Sequence, residues 1–280
     1  MLTNWLPTKN NLNRISKGTI YDILIIDDSP NEAATNAGYK TLILNPSIIQ
    51  KGLEKRRYWR YRGTNPMKEI AKVAKLKVGF DYFLQNTNLP WLKYQDGDTY
   101  LIFDNYQLMM KDYTDKYPYP KVFNEPIIKG CCTSDRFEYY FQGGTGLLMS
   151  RKAVEKFVEK WDKFFYSFNN FEDRSVTKLI ASSGISLADL SSTYFLGDIV
   201  KPSFVDFIRN GNFTNLQRCP SQHPPTQCAN EYYVLNKVAS VHKVDDYDPS
   251  IEKLIKSGKL PDNVRFYHNS WNPSLCYMEN

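Results

Sequence analysis

Apolar residues in this chain fall into short runs, each closed by polar or turn-forming residues, with helically spaced stretches between them. Ile23 to Ile26 is an unbroken apolar run stopped by Asp27 and Asp28, which predicts a strand buried on both faces with acids at its end. Thr41 to Leu44 repeats the pattern and stops at Asn45-Pro46. From Pro66 to Val78 the period becomes helical. Ile70, Val73, Ala74 and Val78 share one face, and Pro66 suits a first turn. Another helix is expected around Tyr106 to Tyr113, and Pro118, Pro120 and Pro126 predict an extended connection after it. Leu147-Leu148-Met149 reads as a strand, with Ser150 capping a helix from Arg151 to about Phe165. Helices are also predicted over 176–182, stopped near Gly184, and over 249–259, with strands at 239–244 and 264–268. Short strands alternate with helices and neither linker nor repeat intervenes. That order predicts one α/β domain over residues 1–280, with a mostly parallel central sheet flanked by helices.

Composition narrows the class. At 280 residues, 42% hydrophobic and 24% charged, the chain can bury a large core and is not a disordered polymer. Aromatic residues reach 15%, which suits an aromatic-rich core first and a carbohydrate-facing surface second. The net charge of +6 has one dense source, Lys51 to Arg62. A nucleic-acid partner would call for a longer basic stripe or a recognisable motif, so this cluster is assigned to solvent or to a small anion. No apolar run approaches the length of a membrane span, and the first residues lack a signal-peptide pattern. The cysteines (131, 132, 219, 228 and 276) form no zinc array, although Cys219 and Cys228 flank a loop that a disulfide could close. Asn212-Phe213-Thr214 is a glycosylation acceptor pattern.

The chemistry concentrates at Asp96-Gly97-Asp98, where the apolar approach Trp91-Leu-Lys-Tyr runs into paired carboxylates. Oxygen ligands of this kind suit Mg²⁺ or Mn²⁺, which keep positions open for phosphate oxygens. In open α/β sheets ligands gather outside the carboxyl ends of the strands. Asp27-Asp28, Asp96-Gly97-Asp98 and His242 are all expected at or near such positions. Glu172 and Asp173 open a helix, where negative charge favours the helix dipole. Gly143, Gly144 and Gly146 would let the backbone approach a ligand closely, or simply make a tight turn.

Taken in order, Trp91-Leu-Lys-Tyr-Gln-Asp-Gly-Asp-Thr-Tyr100, Gly143-Gly-Thr-Gly-Leu-Leu-Met-Ser-Arg151 and Phe171-Glu172-Asp173 resemble the Fringe-like β1,3-glycosyltransferases, including the core 1 galactosyltransferases. Tyr21 to Asp28 resembles a further strand of that family, so the likeness spans roughly residues 20–245, with 246–280 as an extension. The resemblance implies a single GT-A-type domain, a UDP-sugar donor, Mn²⁺ or Mg²⁺ as cofactor, and inversion during transfer to a glycan or glycoprotein hydroxyl, β1,3-type. Asp98 would be the principal metal ligand and Asp96 would assist. His242 would complete the coordination, with Asp198 as a rival. Asp173 would be the general base and Glu172 would orient the acceptor. Asp27, Asp28, Lys68, Gly97, Gly143, Gly144 and Gly146 would line the nucleotide-sugar pocket, with Arg60 and Arg62 as further partners for the diphosphate and Phe141 and Gln142 as sugar contacts. The family setting implies a Golgi or ER lumen. A catalytically silent glycan- or partner-binding module on the same fold is the alternative, motivated by the family strand that would precede Asn4-Trp5-Leu6-Pro7.

Overall fold

The computed structural model describes residues 23–55, 65–97, 99–134, 139–141, 143–165, 172–185, 194–198, 217–218, 232–233, 235–242, 249–257, 264–269 and 272–277. In chain order the elements are β1 (Leu24–Asp27), α1 (Glu32–Asn36), β2 (Lys40–Ile43), α2 (Pro46–Lys55), α3 (Pro66–Asn86), β3 (Trp91–Tyr94), β4 (Tyr100–Leu101), α4 (Phe103–Lys116) and α5 (Lys121–Asn124). There follow β5 (Ile128–Gly130), β6 (Cys132–Ser134), β7 (Tyr139–Phe141), β8 (Leu147–Ser150), α6 (Arg151–Phe165), α7 (Glu172–Ser182) and β9 (Phe195–Asp198). The last are β10 (Gln217–Arg218), β11 (Tyr232–Tyr233), β12 (Ser240–His242), α8 (Pro249–Ser257), β13 (Val264–Asn269) and β14 (Asn272–Tyr277).

The architecture is mixed α/β, with several small sheets. The expected parallel pairing holds where β1 meets β2 (Leu24 opposite Lys40) and where β9 meets β12 (Phe195 opposite Ser240). It fails at the ladder that carries the glycine turn. There β8 lies between β3 and β5 and is antiparallel to both, with Trp91 opposite Ser150 and Ile128 opposite Met149. β4 also runs antiparallel to β12. The described sheets are therefore mixed rather than mostly parallel. Strand direction depends on how distant segments return to the sheet, which a local hydrophobic pattern does not encode.

Leu147, Leu148 and Met149 show no alternation because β8 is buried on both faces. Leu147 and Met149 join a core with Ile70, Phe80, Phe157, Trp161 and Val176, while Leu148 joins a second core with Met109, Tyr113, Tyr194 and Phe195. In the first core the Phe80 ring lies 5.9 Å from Phe157 and 6.1 Å from Trp161.

α3 begins as predicted, with Asn65 capping it and Pro66 in the first turn, but continues past Val78 to Asn86. Gly79 does not end it. A Cβ there would meet Ile26 Cδ1 at 3.1 Å, so this glycine lets β1 approach the helix. Phe80 and Phe83 then extend the buried face. Ser150 Oγ accepts from Ala153 N (3.3 Å), as a cap should, and also accepts from Ile127 N and donates to Glu125 O. Arg151 donates to Leu84 O (2.7 Å) and Thr87 O (2.8 Å), gripping the carboxyl end of α3. The proline-rich stretch is not wholly extended, since Lys121–Asn124 forms the single turn of α5. α7 ends as expected, with Gly184 at φ +73°.

Candidate active site

β3 sends Leu92 and Tyr94 toward the first core, and Trp91 packs against the second. After Tyr94 the chain turns through Gln95, Asp96 and Gly97 and re-enters extended structure at β4. Backbone bonds close the turn: Thr99 N donates to Asp96 O (3.2 Å) and Asp96 N donates to Gly144 O (3.3 Å). The Thr99 hydroxyl donates to the same Gly144 carbonyl. The acidic turn and the glycine turn are thus stitched together. Gly146 N donates to Gly143 O (2.8 Å), and Gly146 has φ +80°, where a Cβ would lie 1.8 Å from Tyr94 O. Only glycine fits this close, left-handed position.

Two other elements close on the glycine turn. From β12 comes buried His242, whose ring covers Gly144 so closely that a Cβ there would lie 1.9 Å from Cε1 and 2.0 Å from Nε2. From α7 come Glu172 and Asp173. A Cβ at Gly143 would lie 2.4 Å from Asp173 Oδ1 and 2.7 Å from both Glu172 carboxyl oxygens. Gly143 N donates to Asp173 Oδ1 at 2.9 Å. Tyr94 OH donates to Glu172 Oε1 (3.3 Å), and Glu172 N donates to Glu69 Oε2 (3.3 Å). Thr177 Oγ1 anchors the helix start, donating to Asp173 O (2.7 Å) and accepting from Phe141 N (2.9 Å).

Burial sets the protonation. Glu172 is 5% exposed, and desolvation followed by the Asp173 charge holds its carboxyl well above the ordinary 4.5. Desolvation raises Asp173 as well, while hydrogen bonds from Glu172 and from Gly143 N–H lower it. The proton of the pair therefore belongs on Glu172, which donates to Asp173 and leaves the latter as the acceptor. Asp96 adds negative charge to both. Partial burial lowers Lys72, yet Glu69, Glu172, Asp96 and Asp173 together hold its ammonium above the ordinary value. Tyr94 is pushed up by burial and then by Glu172.

Asp96 Oδ2 and His242 Nε2 stand 4.0 Å apart. Two ligand bonds of about 2.1 Å meeting at a right angle bring their donors to about 3 Å, so this pair would have to close by about 1 Å to share one octahedral ion. Oxygen and imidazole donors together suit Mn²⁺. Among the described residues no group of three or more His, Cys, Asp or Glu gathers at metal-binding separation. Asp98 lies outside the described residues, as do Arg60, Arg62, Gln142, Cys219, Cys228 and Asn212 to Thr214. The backbone of Asp198 in β9 is the register partner of His242, across a shift in pairing that follows Val241.

Of the residues singled out from sequence, the fold brings together Asp96, Gly143, Gly144, His242, Glu172 and Asp173. Gly97 occupies the exposed tip of the turn, and Gly146 braces it from below. Asp27 and Asp28 are instead held by Lys75, at 3.7 and 2.9 Å. Lys68 lies exposed in the first turns of α3. Glu69, Lys72 and Tyr94 were not singled out. Glu69 and Lys72, three apart on one helix, were the available signal, because such a pair shares a face.

No family model matches the chain. An 80-residue stretch, 28% of this chain, is 36% identical to a glycoprotein-N-acetylgalactosamine 3-beta-galactosyltransferase 1 of Xenopus laevis and spans 19% of that protein's length. The likeness is to a glycosyltransferase. Among the described residues no helix is long and apolar enough to cross a membrane.

Proposed function

We propose that this chain is an inverting, metal-dependent glycosyltransferase on a GT-A-type fold. It would move a hexose or N-acetylhexosamine from a UDP-sugar to a hydroxyl of a glycan or glycoprotein, with a β1,3-type linkage. The observation that carries the reading is the shared floor at Gly143–Gly144. A carboxylate–imidazole pair closes on one side of it and a proton-sharing carboxyl pair on the other.

Asp173 accepts the proton of the acceptor hydroxyl as its oxygen bonds to the anomeric carbon, and the bond to the diphosphate breaks with its electron pair on the leaving oxygen. Gly143 N–H and the Glu172 carboxyl hold Asp173 with its oxygens aimed, so little reorganisation precedes transfer. Burial and the neighbouring Asp173 and Asp96 charges keep Glu172 protonated as that donor. Asp96 and His242, with Asp98 and Asp198 as further candidates, would hold Mn²⁺ or Mg²⁺. Bound there, the ion would offset charge developing on the leaving diphosphate. The galactosyltransferase likeness supports the activity class and a secretory-pathway location.

The deciding experiment is Mn²⁺-stimulated UDP release across a panel of UDP-sugars, paired with calorimetry of UDP binding. Asp173→Asn is expected to keep UDP affinity and lose about 10²–10⁴ in transfer. Asp96→Ala is expected to abolish the Mn²⁺ dependence of UDP binding. Transfer retained in Asp173→Asn overturns the base assignment. Tight ligand binding without turnover across the panel would assign the cleft to recognition alone.

A further inference from the structure

Behind the glycine turn lies a cation that the proposed chemistry does not use. Lys93 sits in β3 opposite Leu148, and its neighbour Trp91, two residues back in the strand, packs with Leu148 in the second core. Strand alternation places an apolar side chain at such a position, yet here the stem ends in an ammonium. Lys93 Nζ donates to Gln95 Oε1 and to Thr145 O (3.3 Å), and it lies 5.5 Å from the centre of the Phe195 ring. These partners are all uncharged, and desolvation pushes the ammonium down to about 7. A half-buried ammonium that meets no carboxylate among the described residues adds little to stability, and an aliphatic side chain of similar volume would serve as well or better.

What the ammonium touches is informative. Gln95 directly precedes Asp96, and its own Nε2 donates to Thr99 O (3.2 Å), closing the acidic turn. Thr145 lies between Gly144 and Gly146, and its carbonyl also accepts from Ser240 Oγ (3.4 Å) in the strand that carries His242. Phe195 begins β9, the strand that ends in Asp198. We propose that Lys93 is a positioning residue, whose ammonium fastens the acidic turn, the glycine turn and the His242 strand at one point and thereby fixes where Asp96 and His242 face each other. The placement stands on these contacts alone, and only its metal-binding consequence rests on the proposed function.

The test uses the full chain with Lys93→Met, which keeps the stem and deletes the ammonium. Hydrogen exchange is followed in peptides covering 94–101 and 141–147, with α6 as internal reference. The expected result is exchange about tenfold faster in both turns, the loss of a hydrogen bond to a charged group. α6 should be unchanged and the melting temperature not lowered. Mn²⁺ affinity by calorimetry should weaken about tenfold or more at that unchanged melting temperature, as when a group that orients a metal ligand is removed. Wild-type protection in both turns overturns the proposal, and so does uniformly faster exchange with a lower melting temperature, which would mark an ordinary packing residue. If Lys93→Met fails to fold, Lys93→Leu, which likewise deletes the ammonium, is measured and judged by the same outcomes. A wild-type protein that binds no Mn²⁺ would count against the metal reading, and the exchange result would still decide the role of Lys93.

Discussion

Asp27–Asp28 and Glu172–Asp173 are both adjacent acids at the end of a regular element, and the fold treats them oppositely. The first pair is part-exposed and shares Lys75, and Asn31 Nδ2 donates to Asp27 Oδ2 at 3.2 Å. The second packs against the backbone of Gly143, Glu172 buried and Asp173 half-buried, with its proton shared internally, and the charge of Lys72 answers to four carboxyl groups at once. A carboxylate beside its own cation is already satisfied and does little chemistry. A buried pair with a proton to place is poised to exchange one. Neighbouring acids in a sequence therefore say little until their cations are known.

The comparison breaks most sharply at Gly143. Gly143→Ala drives a methyl group into Asp173 and Glu172, and we expect a loss of about 1–3 kcal/mol in chemical denaturation. UDP release should fall at least about tenfold with it. An alanine variant with unchanged stability and turnover would show that the carboxyl pair does not rest on that backbone.

Next in size is the pH response of the second pair. Glu172 holds its proton in the fold at pH values where the unfolded chain has released it. Its contribution to stability is thus complete below the unfolded value and is lost as pH rises through the folded one. Glu172→Gln mimics the protonated form. Without added metal, its melting temperature should exceed wild type increasingly from about pH 5 to pH 8, and the curves should converge near pH 4. Lys72→Met should steepen the wild-type decline, because Lys72 opposes the upward shift of both acids. Parallel curves for wild type and Glu172→Gln would remove the raised carboxyl from the account.

The smallest effect is expected at the first pair. Lys75→Met should cost no more than about 1 kcal/mol, as for other part-exposed ion pairs, and Asp28→Asn should leave UDP affinity unchanged. A loss of UDP binding in Asp28→Asn would bring the end of β1 back into the nucleotide pocket.

The helices were the most legible part of the sequence. The predicted bounds of α6 agree with the structure, and α3 runs past the Val78 at which its apolar period is read, with Gly79 explained by the close packing of β1. Strand positions were read from apolar runs. Strand directions were not, because the antiparallel return of β8 between β3 and β5 is a long-range choice. Within the site, Asp96, Gly143, Gly144, Glu172, Asp173 and His242 could be picked out because they stand in ordered motifs. Glu69 and Lys72 offer only a shared helix face, and nothing in α3 says that this face will meet the start of α7. Tyr94 looked like core, and its ring does lie 6.4 Å from Phe80 while its hydroxyl reaches Glu172. Lys93 has a sequence signal of its own, a charge at an apolar position of a strand.

Arg151, which follows the glycine-turn strand in sequence and looks like part of the chemistry, grips the far end of the helix that carries Glu69 and Lys72. It behaves as a rivet in the chassis rather than as part of the engine. Asp173 acts on the glycine turn, whereas losing the arginine would loosen α3 from β8. Arg151 and Asp173, which stand in neighbouring motifs, thus report different things, one on how the scaffold is held together and the other on the proposed transfer.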